Sequence, residues 1–527
     1  MGVKYLLNEK STKKIDELFK KWDKSDSPGC ALGIIRDGKI IYKKGYGMAD
    51  LEHDVPITPK TTFNIGSITK QFTAMCILLL VEQKKISLDD DIRKYLPKFP
   101  DYGQTITIRH LIHHTSGIRD FAGLSILKGM NLLESTNRPK HEVLIIVAKQ
   151  KELNFSPGEE MLYSNSGYLM LKAIIESISG KTLREFIEEH IFKPLGMKNT
   201  NYIDDNKYII KNRAFGYIPD GKKGYFNEMI SHKIPGLIYS NVEDFFLWDQ
   251  NYYNNKLGKG GQDLIKTMQT PGKLSNGEEV NYAFGLFIGK YKEQKIILHG
   301  GGVGGYSALY ISFPKYKFSV IIFANLPIFR SELLAYKIAD IFLEQFFKPE
   351  QPKISVDPNI YQNYLRKYYS DSLGIISISR RNHDLMIEAS IGFPPLKLIA
   401  ESKTSFFIEF PNKRITFQKD EENKYSEFIL YEEGKESKIK RIKSSKLVLE
   451  ELKGYVGGYY SEEIDQTYTL IIKNDSLYIA NFEMVFAEKD KFLTNWAIFR
   501  FKRNKNGNIQ GFNLNAWGVR NLWFGKN

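Results

Sequence analysis

From Ser67 onward, through Phe72, Met75, Cys76, Leu78, Leu79, Leu80 and Val81, the chain is apolar on nearly every side of a helix. A helix apolar on nearly every side is buried, so the pattern predicts a core helix opening at Ser67. Ahead of it, Ile15, Leu18, Phe19 and Trp22 recur at helical spacing among charged residues and predict an amphipathic helix over 12–22. Cys30–Ile35 and Lys39–Tyr42 are β-rich runs separated by Arg36-Asp37-Gly38, a hairpin signal. Leu162 to Tyr168 leads into a second apolar helix through Leu169, Leu171, Ile174 and Ile175. Two further strand-like runs, Ala308–Phe313 and Phe318–Phe323, follow the glycine-rich stretch His299 to Gly305, and Leu334, Ile338, Ile341 and Phe342 mark a last helix.

After this helix the pattern changes. Lys348 to Pro358 is a proline-bearing linker, and beyond it the chain reads as short β-like runs with turns throughout. Leu365-Arg366-Lys367-Tyr368-Tyr369-Ser370 returns as Tyr455-Val456-Gly457-Gly458-Tyr459-Tyr460-Ser461. This weak repeat suits a small antiparallel barrel or two half-barrels. The expected organisation is therefore 1–347 as one domain, 348–358 as linker and 359–527 as an all-β barrel domain.

A length of 527 residues fits two or more domains, and 42% hydrophobic with 13% aromatic residues is globular. No run of eighteen apolar residues spans a bilayer, and the amino-terminus lacks the apolar core of a signal peptide. A cytoplasmic location is expected on that ground, the alternative being export with a leader removed before Met1. The net charge of +14 is spread along the chain rather than clustered with aromatics, which argues against nucleic acid as a partner. Cys30 and Cys76 sit in apolar sequence as small core residues and allow no disulfide framework or zinc pattern.

The candidate chemistry starts at Ser67. Unpaired N–H groups and the positive end of the helix dipole at a helix start favour a developing oxyanion. Lys70, three residues on, shares the helix face of Ser67, and a lysine beside a serine hydroxyl can activate that weak nucleophile. The spacing alone carries little, since Ser11/Lys14, Ser125/Lys128, Ser312/Lys315 and Ser437/Lys440 repeat it without the helix-start context. Tyr163 and Asn165, two apart on extended backbone, project to one side and offer a phenol and an amide to one cleft. Tyr239-Ser240-Asn241 repeats that tripeptide. His110, His113 and His114 lie close together, but no acid or cysteine nearby completes a metal shell, so they are read as helix and loop residues held by hydrogen bonds.

Ser67-Ile68-Thr69-Lys70 and Tyr163-Ser164-Asn165, in this order and with Leu111–Gly117 and Ile191–Met197 between and after them, resemble the S-x-x-K and Y-x-N motifs of the serine β-lactamase and penicillin-binding-protein superfamily, in its class C β-lactamase-like branch of peptidases and esterases. The resemblance covers residues 28–345 and favours Tyr163 over Tyr239. The branch's K-T-G motif stands here as His299-Gly300-Gly301, a variant found in the branch's D-aminopeptidases and in some other peptidases and esterases. A lysine there is a permanent cation for a substrate carboxylate, whereas a histidine near neutral pH is only partly charged.

The resemblance implies a β-lactamase/transpeptidase-like α/β (α+β) fold, an antiparallel sheet flanked by helices plus a helical lobe, followed by a lipocalin-like barrel domain. It implies Ser67 as nucleophile, Lys70 and Tyr163 as acid and base, and Asn165, His299 and Gly301 as substrate-binding or positioning residues. The backbone N–H groups of Ser67 and Gly302 would form the oxyanion hole, with no metal or organic cofactor. The expected activity is that of a peptidase or amidase on short peptides containing D-residues. The alternatives are a carboxylester hydrolase, a DD-carboxypeptidase or weak β-lactamase, and a non-catalytic scaffold. The expected partner is a small peptide or ester substrate.

Overall fold

The computed structural model describes residues 8–129, 140–205, 207–222, 224–227, 236–347, 354, 356–371, 373–390, 395–408, 413–432, 435–442 and 447–527. It divides into two compact units, one of residues 1–118, 131–142 and 155–348, the other of 119–130, 143–154 and 349–527. Most of the expected linker 348–358 (348–353 and 355) lies outside the described residues. Two excursions, at 119–130 and 143–154, belong with the carboxy-terminal unit.

The first unit opens with α1 (Glu9–Phe19), three residues ahead of the expected span because Asn8 caps it and accepts from the backbone of Ser11. A hairpin of β1 (Cys30–Arg36) and β2 (Lys39–Tyr46) follows, then α2 (Thr69–Glu82), α3 (Asn165–Ser179) and α4 (Val242–Asn251). Strands β3 (Phe287–Tyr291), β4 (Gln294–Val303), β5 (Tyr306–Phe313) and β6 (Phe318–Ala324) lead to α5 (Ser331–Leu343). The six strands form one antiparallel sheet in the order β3-β4-β5-β6-β1-β2.

Strand β6 is buried at every position, Ser319 included, as a largely apolar strand covered on both faces is. Alternation along it separates those faces. Phe323 meets Phe245 of α4, while Phe318 packs against Phe342 of α5. Gly33 in β1 admits α4 closely, since a Cβ there would lie 2.4 Å from a methyl of Val242. The helix α2 packs against α3, burying Phe72 through Leu80 as the sequence pattern requires.

In the second unit each copy of the repeat closes on itself. One eight-stranded antiparallel barrel runs from Lys367–Ser370 to Lys435–Arg441, closed by pairing of Tyr368 with Arg441. A second runs from Gly457–Ser461 to Val519–Lys526, closed by pairing of Tyr459 with Lys526. The sequence left open one barrel or two halves; the structure has two complete ones. The hydroxyl of Tyr368 donates to the carbonyl of Tyr364 at 3.4 Å, and Tyr459 donates to Tyr455 at 2.8 Å, so the repeat preserves one tyrosine contact four residues back. Tyr364, Tyr368, Phe406, Phe417 and Phe428 fill the first interior, as an eight-stranded barrel packed with side chains does.

Candidate active site

Phe63–Asn64 pairs with the strand Leu237–Ser240, which fixes the chain just ahead of Ser67. Gly66 then turns with φ +53°, and its N–H donates to Asn64 Oδ1 at 2.8 Å. A single 3-10 turn, Gly66–Ile68, carries Ser67 into α2, and Thr69 Oγ1 accepts the Ile238 N–H at 3.0 Å. Ser67 is thus held at the mouth of the buried helix by backbone on both sides.

Lys70 is 8% exposed, and its Nζ lies 3.0 Å from Ser67 Oγ and 3.0 Å from Asn165 Oδ1. The same Nζ sits 4.8 Å from the ring centroid of Tyr163. Ser164, between Tyr163 and Asn165, is extended at φ −136° and ψ 119°, which sends its two neighbours to one side before α3 begins at Asn165. The competing Tyr239 is fully buried, and Asn241 is the N-cap of α4.

The glycine strand reaches the same place. A Cβ on Gly301 would lie 2.0 Å from the carbonyl oxygen of Ile65, and one on Gly66 would lie 2.8 Å from the backbone nitrogen of Gly302. Only glycine lets β4 lie this close to the turn before Ser67.

His299, at the head of that strand segment, is 2% exposed. Its Nδ1 is 2.6 Å from the carbonyl of Gly300, which can only accept, so Nδ1 carries the proton. Its Nε2 is therefore bare and accepts the Tyr282 hydroxyl at 2.9 Å. Both ring nitrogens are occupied by protein. Burial, with the nearby Lys70 charge, pushes the imidazole down to about 3. The expectation of a partly charged His299 is thereby corrected: desolvation leaves it neutral at physiological pH.

Burial acts in the same direction on the two histidines beside the site, His113 and His114. Burial pushes His113 down to about 4, with its Nδ1 donating to the Tyr282 carbonyl at 3.0 Å. His114 is driven well below the usual histidine range by burial and then by Lys70. Among the described residues no group of acids, histidines and cysteines could hold a metal.

Sequence reasoning passed over Tyr282, which orders both His299 and His113. It also passed over Gly285, where a Cβ would lie 2.5 Å from the backbone nitrogen of Gln71 in α2. In the sequence the available mark was a glycine set in the apolar run Tyr282-Ala283-Phe284-Gly285-Leu286, where an isolated glycine marks a close backbone approach.

The beta-lactamase family model matches residues 15–341, spanning every one of these groups. The chain belongs to the beta-lactamase family. Among curated relatives it is similar to penicillin-binding protein 4* of Bacillus subtilis, 29% identical over 77% of this chain and 93% of that one. It is also similar to the D-aminopeptidase of Brucella anthropi, 25% identical over 94% of each chain, barrels included.

Two solved structures carry the same beta-lactamase-family fold. The octameric penicillin-binding protein homologue of Pyrococcus abyssi aligns with TM-score 0.58 and 23% identity over 92% of this chain and 99% of its own. The D-amino acid amidase of Ochrobactrum anthropi SV3 aligns with TM-score 0.54 and 21% identity over 64% of this chain and all (100%) of its own. No helix among the described residues is long and apolar enough to cross a membrane.

Proposed function

We propose that the chain is a serine hydrolase that acts through an acyl-serine intermediate on short peptides or aminoacyl amides, with a D-residue on the acyl side. The observation that carries this reading is the placement of Lys70 Nζ at 3.0 Å from both Ser67 Oγ and Asn165 Oδ1, beside the Tyr163 ring.

Ser67 Oγ attacks the substrate carbonyl carbon, and its proton passes to Lys70 in its neutral form, directly or relayed through the Tyr163 hydroxyl, which gives its own proton to Lys70. The oxyanion is held by the backbone N–H groups of Ser67 and Gly302, each such donor being worth about 3–4 kcal/mol in acyl transfer. Lys70 and Tyr163 return a proton to the leaving nitrogen as the C–N bond breaks. Water then attacks the ester, and Ser67 regains its proton as the acid leaves. Asn165, whose carbonyl oxygen is taken up by Lys70, holds the lysine against the serine.

The neutral His299 bears on substrate choice. A buried imidazole with both nitrogens occupied offers no cation to a free carboxylate. That favours amide and aminoacyl donors over release of a carboxy-terminal residue, in keeping with the D-aminopeptidase relative. The test is a panel of D- and L-aminoacyl amides, matched esters, an acyl-D-Ala-D-Ala peptide and a β-lactam. The reading requires the D-aminoacyl amides to give the highest kcat/KM; preference for the acyl-D-Ala-D-Ala peptide would overturn it.

A further inference from the structure

His114 stands in the left-handed region at φ +59°, a conformation that a non-glycine residue holds only where its surroundings impose it. From there it grips the segment carrying Tyr163 at two points. Its carbonyl oxygen accepts the N–H of Leu162 at 2.9 Å, and its Nδ1 accepts the N–H of Ser164 at 3.1 Å. Leu162 and Ser164 are the two neighbours of Tyr163, so one residue fixes the backbone on either side of the phenol. The imidazole also lies against the phenol itself, with ring centroids 4.2 Å apart.

Because Nδ1 accepts, the proton resides on Nε2. That N–H is buried and has no hydrogen-bond partner among the described residues, lying in a cage formed with Tyr163, Tyr168 and Tyr282. Packing alone would be served by a phenylalanine, without an orphaned donor. The feature that only an acceptor at the Nδ1 position supplies is the bond to Ser164.

We infer that His114 is a positioning residue for the reaction, holding Tyr163 and Asn165 in place against Lys70 through the Leu162 and Ser164 backbone. The inference rests on the assignment of Tyr163 and Asn165 made above. It concerns a residue that makes no contact with the reacting atoms and that neither motif includes.

The test compares His114→Phe with His114→Asn in the full chain. Phenylalanine keeps the ring packing and removes the acceptor. Asparagine tolerates the left-handed backbone and places Oδ1 where Nδ1 was. The probe is a D-aminoacyl p-nitroanilide, followed as kcat, KM and the pH dependence of kcat/KM. The rate of Ser67 labelling by a fluorophosphonate is read in parallel, and circular dichroism checks folding. A misplacement of about 1 Å costs about a hundredfold in rate. His114→Phe should therefore lose about that factor in kcat with KM little changed, and His114→Asn should recover to within about tenfold of wild type.

The titratable groups facing His114 are Lys70, His113, His299, Tyr163, Tyr168 and Tyr282. Displacement of Tyr163 from Lys70 should shift the limbs of the profile in His114→Phe and leave them in place in His114→Asn. A folded His114→Phe with wild-type kcat and profile would overturn the inference while leaving Ser67 labelling intact. Equal impairment of both variants would overturn it as well, by placing the role in the imidazole ring rather than its acceptor. Failure of wild type to label at Ser67 would remove the functional reading and this role together.

Discussion

The hydroxyl of Tyr282 donates to Nε2 of His299 at 2.9 Å, and this one bond decides what the third motif of the site can do. It fills the last open position on an imidazole whose other nitrogen is committed to the Gly300 carbonyl. The motif therefore presents neutral, glycine-lined backbone where the lysine version presents a cation.

Removing that donor should be felt at the site. In Tyr282→Phe a buried imidazole nitrogen is left unpaired, at a cost of about 1–3 kcal/mol. The expected outcome is a lower apparent Tm and a reduced kcat, with Ser67 still labelled by a fluorophosphonate. Unchanged kinetics and stability would show that the bond to Tyr282 does not order His299.

The neutrality of His299 has a signature in pH. Its folded value is about 3 against an ordinary value near 6.5, so below pH 6.5 the unfolded chain takes up a proton that the folded chain refuses. Stability from this group is whole above pH 6.5 and is lost as pH falls toward 3, by up to about 1.4 kcal/mol per unit. The Tm gap between wild type and His299→Gln should accordingly shrink from pH 7.5 to pH 5. A gap that holds constant or widens would mean that His299 carries charge in the fold. For the same reason His299 should add no limb to the kcat/KM profile between pH 5 and 8.

Lys70→Arg keeps a cation within reach of Ser67 and Asn165 but replaces a group that can give up its proton with one that cannot. Loss of general-base assistance costs about 10²–10⁴-fold. The variant should lose that factor in acylation rate at every pH between 6 and 9, as measured by single-turnover kinetics. Recovery at alkaline pH would argue that the cation alone suffices.

Gly301→Ala drives a methyl group toward the Ile65 carbonyl, where the ideal Cβ lies 2.0 Å away. Backbone must yield on one side, displacing either β4 or the turn before Ser67. Displacing one oxyanion donor costs about 10²–10³-fold in kcat. The measurement is kcat on a D-aminoacyl amide with folding checked by circular dichroism; an active, folded variant would remove the glycine strand from the oxyanion hole.

Within the second unit, Arg119 is 1% exposed and donates to Glu463 at 2.6 Å, to Gln150 at 2.8 Å and to the carbonyls of Arg520 and Asn521. Removing one partner of a buried ion pair costs about 3–5 kcal/mol. Arg119→Met should make the barrel unit the first to unfold and expose it to limited proteolysis, while an unchanged digestion pattern would contradict a structural role for this pair.

What the sequence revealed, and what it concealed, follows from the range of the interactions. Ser67, in the 3-10 turn, and Lys70, in the first turn of α2, are three residues apart, and Tyr163 and Asn165 flank the single extended residue Ser164, so each pair is brought together locally. The tyrosines of the barrel repeat were legible for the same reason, their bond running only four residues back. Arg119 meets Glu463 across 344 residues, and no local pattern announces that contact. The charge of His299 was misread because it is set by burial and by Tyr282, seventeen residues upstream, rather than by its neighbours in sequence. His114 was taken as a loop histidine held by hydrogen bonds, which it is; its grip on both flanks of Tyr163 needs the fold to be visible.

The central claim is that Ser67 is an activated nucleophile. Intact-protein mass spectrometry after exposure to a fluorophosphonate, on wild type and Ser67→Ala side by side, tests it most directly. One adduct per wild-type chain and none on the variant are expected. An adduct that persists on folded Ser67→Ala, or no adduct on folded wild type, would contradict it.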